Sequence, residues 1–151
     1  MSTYSFQNIT ATISGFGGSI KIGEGSGAAA EGLTIAMAND KNVMLTGADK
    51  HVAHSLISNN AALLTIRLLK TSATNQELSN MMNLQVQDAR THGLNTVVLN
   101  DTARGDFLTM FQVAFKKMPD LTYATEAGMN EWAFDVARIE STLGPGTPEA
   151  N

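Results

Sequence analysis

Ala62-Leu-Leu-Thr-Ile-Arg-Leu-Leu69 runs through Lys70-Thr-Ser-Ala73 into Thr74-Asn-Gln-Glu77, and this junction decides the fold. In its first half the side chains alternate. Leu64, Ile66 and Leu68 fall on one side, and Leu63, Thr65, Arg67 and Leu69 on the other, the period of a β-strand. Both sides are largely apolar, so the strand is expected to be covered on both faces. The second half changes period. Thr74 and Glu77 have the spacing of a capping box, in which hydroxyl and carboxylate each satisfy an orphan amide. Leu78, Met81, Met82, Gln85, Val86 and Ala89 then recur at helical spacing, and Gly93 stands beyond the last turn as a stop signal. At that spacing the two methionines read as core filling rather than as an adaptable binding face. A helix with one apolar stripe and a polar back belongs on a sheet.

Toward the N-terminus the sheet pattern continues. Ile9, Ala11 and Ile13 alternate with Thr10 and Thr12 until Gly15-Phe-Gly-Gly18, and Ile20-Lys-Ile22 is a short second strand. Gly23-Glu-Gly-Ser-Gly-Ala-Ala-Ala-Glu-Gly32 has no apolar period and is expected to be a flexible loop. Leu33–Met37 and Asn42–Thr46 read as strands. Gly47-Ala-Asp-Lys50 is a turn signal, from which His51–Ser58 runs back. Toward the C-terminus, Thr96–Leu99 is followed by the turn Asn100–Gly105. Phe107, Thr109, Phe111, Val113 and Phe115 would then line one face of a long strand. The same phenylalanines lie four apart and admit a helix, but Thr109, Val113 and the nearby Pro119 favour the strand. Leu121-Thr-Tyr123 is a short return, and Trp132, Phe134 and Val136 share a face of Glu131–Ile139. With roughly eight strands and one helix, the fold class is mainly β with one α-helix, a β-sandwich or barrel carrying a helix. Residues 1–143 form one domain, and 144–151 are expected to be a flexible tail.

The chain has 151 residues, 43% of them hydrophobic and only 16% charged, enough for one core. A formal net charge of −4 argues against a domain that grips phosphates. Cysteine is absent, which excludes disulfides, zinc ribbons and thiolate catalysis. The N-terminus lacks the basic and apolar regions of a signal peptide, and no apolar run approaches a membrane span. The expectation is a soluble, mildly acidic, cytoplasmic domain.

Chemical motifs are weak. Gly23-x-Gly25-x-x-Ala28 superficially fits a dinucleotide-binding turn, but Gly32 stops any helix within a turn. Asp49, His51 and His54 cluster on a strand or hairpin, where i and i+3 side chains diverge, a poor geometry for a metal. No Gly-x-Ser-x-Gly elbow exists. The acid pairs Glu24/Glu31 and Asp101/Asp106 lie in loops expected to be solvated. No catalytic residue, metal or cofactor is assigned, and the expectation is a non-enzyme.

The order of motifs says more than any one of them. Tyr4-Ser-Phe-Gln-Asn-Ile-Thr-Ala-Thr-Ile-Ser-Gly15 opens the chain, and Glu31-Gly-Leu-Thr-Ile35, Asp40-Lys41 and Gly47-Ala-Asp49 follow. The strand–helix junction comes next, then Gly105-Asp106, Phe115-Lys-Lys-Met-Pro-Asp-Leu-Thr-Tyr123 and Asn130-Glu-Trp-Ala-Phe134. Over nearly its whole length this layout resembles the tail-tube proteins of contractile-tailed bacteriophages. Inner tubes of type VI secretion and of phage-like bacteriocins look related at the level of fold.

The resemblance implies a virion protein whose strands merge with those of neighbours. Six copies would form a ring, and rings would stack into the tube that viral DNA traverses without sequence-specific binding. It further implies a surrounding sheath and tape-measure, baseplate and terminator partners, with assembly in the host cytoplasm. A long loop or hairpin would reach the next ring. The best match is about Met37–Leu56, with Asp40, Lys41, Asp49 and Lys50 near its tips or turn. The Gly23–Gly32 segment, with Glu24 and Glu31, is a second candidate arm, and the sequence does not choose between them. Six copies at −4 each would carry about −24 formal charges, which would repel DNA phosphates if they line the bore. Other virion roles (tail terminator, head decoration) and, from a different class, a small-molecule-binding β-barrel or hydrolase are the alternatives.

Overall fold

The structure is a computed structural model that describes residues 9–23, 28–101, 104–126 and 128–144, without the side chains of 28–31. Its strands are β1 (Ile9–Gly15), β2 (Gly18–Gly23), β3 (Ala28–Met37), β4 (Asn42–Thr46), β5 (Val52–Leu56) and β6 (Ala62–Leu69). After helix α1 (Thr74–Gln85) come β7 (Asn95–Asp101), β8 (Asp106–Lys117) and β9 (Met129–Thr142). Seven strands form one antiparallel sheet in the order β2-β1-β7-β8-β9-β6-β3, and β4 and β5 stand apart as a two-stranded hairpin. The large sheet curls into a half-barrel, and its two edge strands, β2 and β3, are consecutive in the chain. The fold is mainly β with one helix, as the sequence leads one to expect.

Cross-strand register builds the core in rows on the concave face. One row reads Ile20–Ile13–Val97–Met110–Ile139, each residue opposite the next. Another reads Ile35–Leu64–Phe134–Phe115, and a third Leu33–Ile66–Trp132. Such directly opposed apolar pairs are the stabilising unit of a sheet. α1 lies across the open side. At its start Asn75 Nδ2 donates to Leu69 O at 2.9 Å, and Asn75 Oδ1 accepts from Trp132 Nε1 at 3.0 Å. At its end Gln85 Nε2 donates to Phe16 O at 2.9 Å in the β1–β2 turn. The helix thus ties the β6–β9 side of the half-barrel to the β1–β2 side, with Leu78 and Met81 buried beneath it.

Four expectations are corrected. First, Thr74 and Glu77 do not form a capping box. The turn closed by Ser72 N–H to Leu69 O starts the helix one residue early, so Ala73 is the N-cap and offers no side-chain acceptor. Ser72 Oγ accepts the Thr74 N–H instead, at 3.3 Å, and Thr74 is buried inside the first turn. Glu77 remains in the first turn, where negative charge suits the helix dipole. Second, α1 ends at Gln85, well before Gly93, because the Thr91 hydroxyl donates to Gln85 O and Asp88 O. The Arg90 side chain, then its backbone N–H, hold the Asp88 carboxyl below its ordinary pKa. Third, β6 is fully covered on one face only: Leu64, Ile66 and Leu68 are buried, whereas on the other face Thr65 is buried, Leu63 and Arg67 are half-buried and Leu69 is 45% exposed. Fourth, Leu121–Tyr123 is not a strand, and the segment expected to be a loop over 23–32 already pairs from Ala28, with 24–27 outside the described residues.

The face of β8 also changes partway. Gln112 has φ +54°, and two residues of β8 oppose one of β7 between Met110 and Val113. This bulge moves the buried set from even to odd positions: Met110 before it, then Val113 and Phe115. Phe107 is therefore 48% exposed, and Phe111 leaves the core to stack under the Arg138 guanidinium at 4.4 Å. Left-handed backbone costs a non-glycine residue about 1–2 kcal/mol. Gln112→Gly should match or exceed the parent in urea denaturation by up to about 1 kcal/mol, and the β-branched Gln112→Val should lose about 1–2 kcal/mol. Equal stabilities for the two variants would refute a strained bulge.

Candidate assembly interface

The β4–β5 hairpin is an arm. It leaves the sheet after Met37 and returns before Ala62, residues that face each other across β3 and β6. Its register is regular, Asn42↔Leu56 to Thr46↔Val52, so side chains alternate between two faces. Val43, Leu45 and Ala53 lie on one face, and Met44, Val52 and Leu56 on the other. All ten strand residues are exposed. Leu45 is 67% and Leu56 86% exposed. An isolated two-stranded hairpin is marginal in water, and both faces of this one expose apolar side chains, the kind of patch that marks a candidate interaction site.

Of the sequence-assigned residues, four lie on or beside the arm. Asp49 and Lys50 are at the tip. Lys50 has φ +67°, its N–H donates to Gly47 O at 3.0 Å, and Gly47 N–H donates to His51 O at 2.8 Å. Asp49 Oδ1 accepts the His51 N–H at 3.3 Å, and its carboxylate lies 3.4 Å from the His51 ring. His54 faces Asn42 across the strands, Nδ1 to Nδ2 3.0 Å. Asp40 and Lys41 are at the root, not the tip. Lys41 Nζ donates to Asn59 O at 3.1 Å and to Asn60 Oδ1, which fastens the arm to the body. Glu31 is in β3, apart from the arm, and Glu24 lies outside the described residues. The aliphatic residues that make the arm a surface were not singled out by sequence. Their alternation was the signal, but alternation does not tell a strand facing its own core from one facing a partner.

Among the described residues no three His, Asp or Glu side chains converge to hold a metal ion. Asp101 and Asp106 do face each other across β7 and β8, but each carboxylate holds backbone. Asp101 Oδ1 accepts the Arg104 N–H at 3.1 Å, and Asp106 Oδ1 accepts the Gly144 N–H at 2.8 Å. A cleft of about 420 Å³ at the root of the arm is lined by Met37, Asn39, Lys41, Ile139, Glu140 and Ser141, among others. No helix among the described residues is long and apolar enough to cross a membrane.

Three similarities bear on this architecture. The fold is similar to a chain of the PVC sheath-tube complex, an extracellular contractile injection system in its extended state. That match has TM-score 0.59 and 7% identity, covering 93% of this chain and 92% of that one. It is similar to the tube-terminating cap of the anti-feeding prophage (TM-score 0.57, 9% identity, 95% and 93% covered). It is also similar to the PVC sheath/tube terminator in the extended state (TM-score 0.57, 10% identity, 94% and 98% covered). No curated protein matches by sequence. Residues 1–144 match the family described as Bacteriophage PhiTE tail tube protein. By that match over residues 1–144 the chain belongs to the PhiTE-type phage tail tube family, a non-enzymatic structural tail protein.

Proposed function

We propose that six copies of this chain close into a ring, that rings stack into the hollow inner tube of a contractile tail, and that viral DNA passes through the bore. The observation that carries this reading is the β4–β5 arm, apolar on both faces and exposed along its whole length. Among the described residues no strand pairs with the outer edge of β2 or of β3, and an unpaired edge is a template for pairing with another chain. Asp49 and Lys50 at the tip, Asp40 and Lys41 at the root, Glu31 in β3, and Glu24, outside the described residues, are the polar contacts assigned to neighbouring copies. Residues 1–143 act as one tail-tube domain, and 144–151 as a tail. A sheath outside, a tape measure inside, and baseplate and terminator proteins at the ends are the expected partners, with assembly in the host cytoplasm. The net charge of −4 per copy favours a bore that DNA slides through.

Electron microscopy of the assembled protein tests the reading. Hollow tubes of six-fold stacked rings with an acidic or neutral bore are expected, and a bore dominated by Lys and Arg would defeat the conduit. The similarity to a cap and a terminator favours one second reading, a tail terminator, for which single rings and no tubes are expected. The arm gives a direct check. Met44→Ser with Leu45→Ser should change unfolding free energy by under about 0.5 kcal/mol, because both residues are exposed. The same variant should abolish tube growth, and tubes at wild-type yield would remove the arm from assembly.

A further inference from the structure

The arm has a counterpart at the other end of the molecule. β6 and β9 pair from Ala62↔Val136, beside the arm's root, to Leu69↔Met129. At that far end Leu69 is 45%, Leu121 51%, Tyr123 82% and Met129 48% exposed. The non-strand segment 118–126 that carries Leu121 and Tyr123 is held to the end of β6. Lys70 Nζ lies 3.8 Å from the centre of the Tyr123 ring and donates to Thr122 O, and Lys70 N–H donates to Gly128 O at 3.1 Å. An exposed tyrosine fixed by a cation is a pre-ordered anchor, the residue type that concentrates binding energy at interfaces.

We propose that this far pole, Leu69, Leu121, Tyr123 and Met129, is the seat that receives the β4–β5 arm of a second copy of this chain. The inference rests on the ring-and-tube reading and names the receiving half of its stacking contact.

Three observations select a second copy as the occupant. The arm and the seat are separated along the same two paired strands, about 26 Å for eight residues, so a copy displaced along β6–β9 brings one to the other. A contact between two different patches does not close on itself and propagates a filament. The areas fit as well. The arm's five large aliphatic side chains expose roughly 400 Å², about half of what one partner buries in a stable two-body interface. Such a contact holds only when repeated around a ring, which leaves the free chain monomeric. Charge agrees: the tip carries Asp49 and Lys50, and the rim of the seat carries Lys70 and the Lys117–Asp120 pair at 3.9 Å, so each side offers both signs to the other.

The absence of native cysteine makes the test clean. Leu45→Cys and Leu121→Cys chains, distinguishable by size, are mixed, assembled and oxidised. The expected result is a mixed disulfide dimer at least about tenfold above a Leu45→Cys with Leu94→Cys control, because contact raises the effective thiol concentration into the millimolar range. Tubes that form without that product overturn the seat and leave the tube reading standing. A wild-type chain that forms neither rings nor tubes overturns both. Should a cysteine variant fail to assemble, hydrogen exchange on wild-type tubes decides. Amides of 42–56 and of 118–126 should both gain protection on assembly, and a 118–126 segment as open in tubes as in monomer rejects the seat.

Discussion

Trp132→Ala is expected to lower the unfolding free energy by about 3–5 kcal/mol, the usual cost of truncating a buried large aromatic. A domain of this size holds about 5–15 kcal/mol in all, so the variant should unfold at a markedly lower urea concentration than the parent. Trp132 is 1% exposed, opposes Ile66 in the β6–β9 ladder, and meets the Phe115 ring edge-on at 6.1 Å. Its indole N–H adds a second role. It donates to Asn75 Oδ1 at 3.0 Å, and the amide of Asn75 donates to Leu69 O and Ser72 O, so the side chain links the core to the first turn of α1. Trp132→Phe separates the two roles. It keeps most of the packing and removes the donor, for an expected loss of about 1–2 kcal/mol. The chain's single tryptophan is itself replaced, so circular dichroism in urea is the readout. Hydrogen exchange of Trp132→Phe should show the amides of 74–78 loosened before those of β7. A Trp132→Ala variant within about 1 kcal/mol of the parent would contradict the packing account.

How legible this structure is depends on whether a local rule and the tertiary context agree. At β6 and β9 they do: alternation of Leu64, Ile66 and Leu68, and of Trp132, Phe134 and Val136, places each set in the core. The arm's turn, Gly47-Ala-Asp-Lys50, is legible for the same reason, since tight turns need such residues. Gln112 is different. Nothing in glutamine signals a positive φ, so the bulge that turns Phe107 and Phe111 out of the core has no sequence mark. Thr74 and Glu77 satisfy a spacing rule, but a helix that starts one residue early moves the threonine from the cap into the first turn. The family was legible in the order of motifs along the chain, and so was the span of the candidate arm, about 37–56, but the exposure of its aliphatic side chains was not. Val43, Leu45, Met44 and Leu56 look like core residues in sequence, and their exposure emerges only once the sheet closes without them.

Gly15→Ala is the second large effect, and it depends on space rather than on backbone conformation. The φ of Gly15 lies outside the left-handed region, so alanine could adopt the backbone. A methyl group there would overlap Asn95 Oδ1 outright and come within 2.9 Å of Asn95 Cγ and 3.2 Å of Gln85 Nε2. Those two amides form a reciprocal pair in the core: Gln85 Nε2 donates to Asn95 Oδ1 at 2.6 Å, and Asn95 Nδ2 donates to Gln85 Oε1 at 2.8 Å. Gln85 also donates to Phe16 O, so one buried polar knot joins the end of α1, the β1–β2 turn and the start of β7. Both residues are at most 1% exposed, and among the described residues no buried side-chain polar atom lacks a partner. Gly15→Ala must push Asn95 aside and strand Gln85 groups away from water, which adds an overpacking cost to an unsatisfied-group cost, about 2–5 kcal/mol together. Asn95→Ala alone strands the same glutamine and should cost about 2–3 kcal/mol. The two changes damage one knot, so the double variant should lose well under the sum of the singles. Losses that add within about 0.5 kcal/mol would mean that Gly15 acts elsewhere, and that the Gln85–Asn95 pair is not what this glycine makes room for.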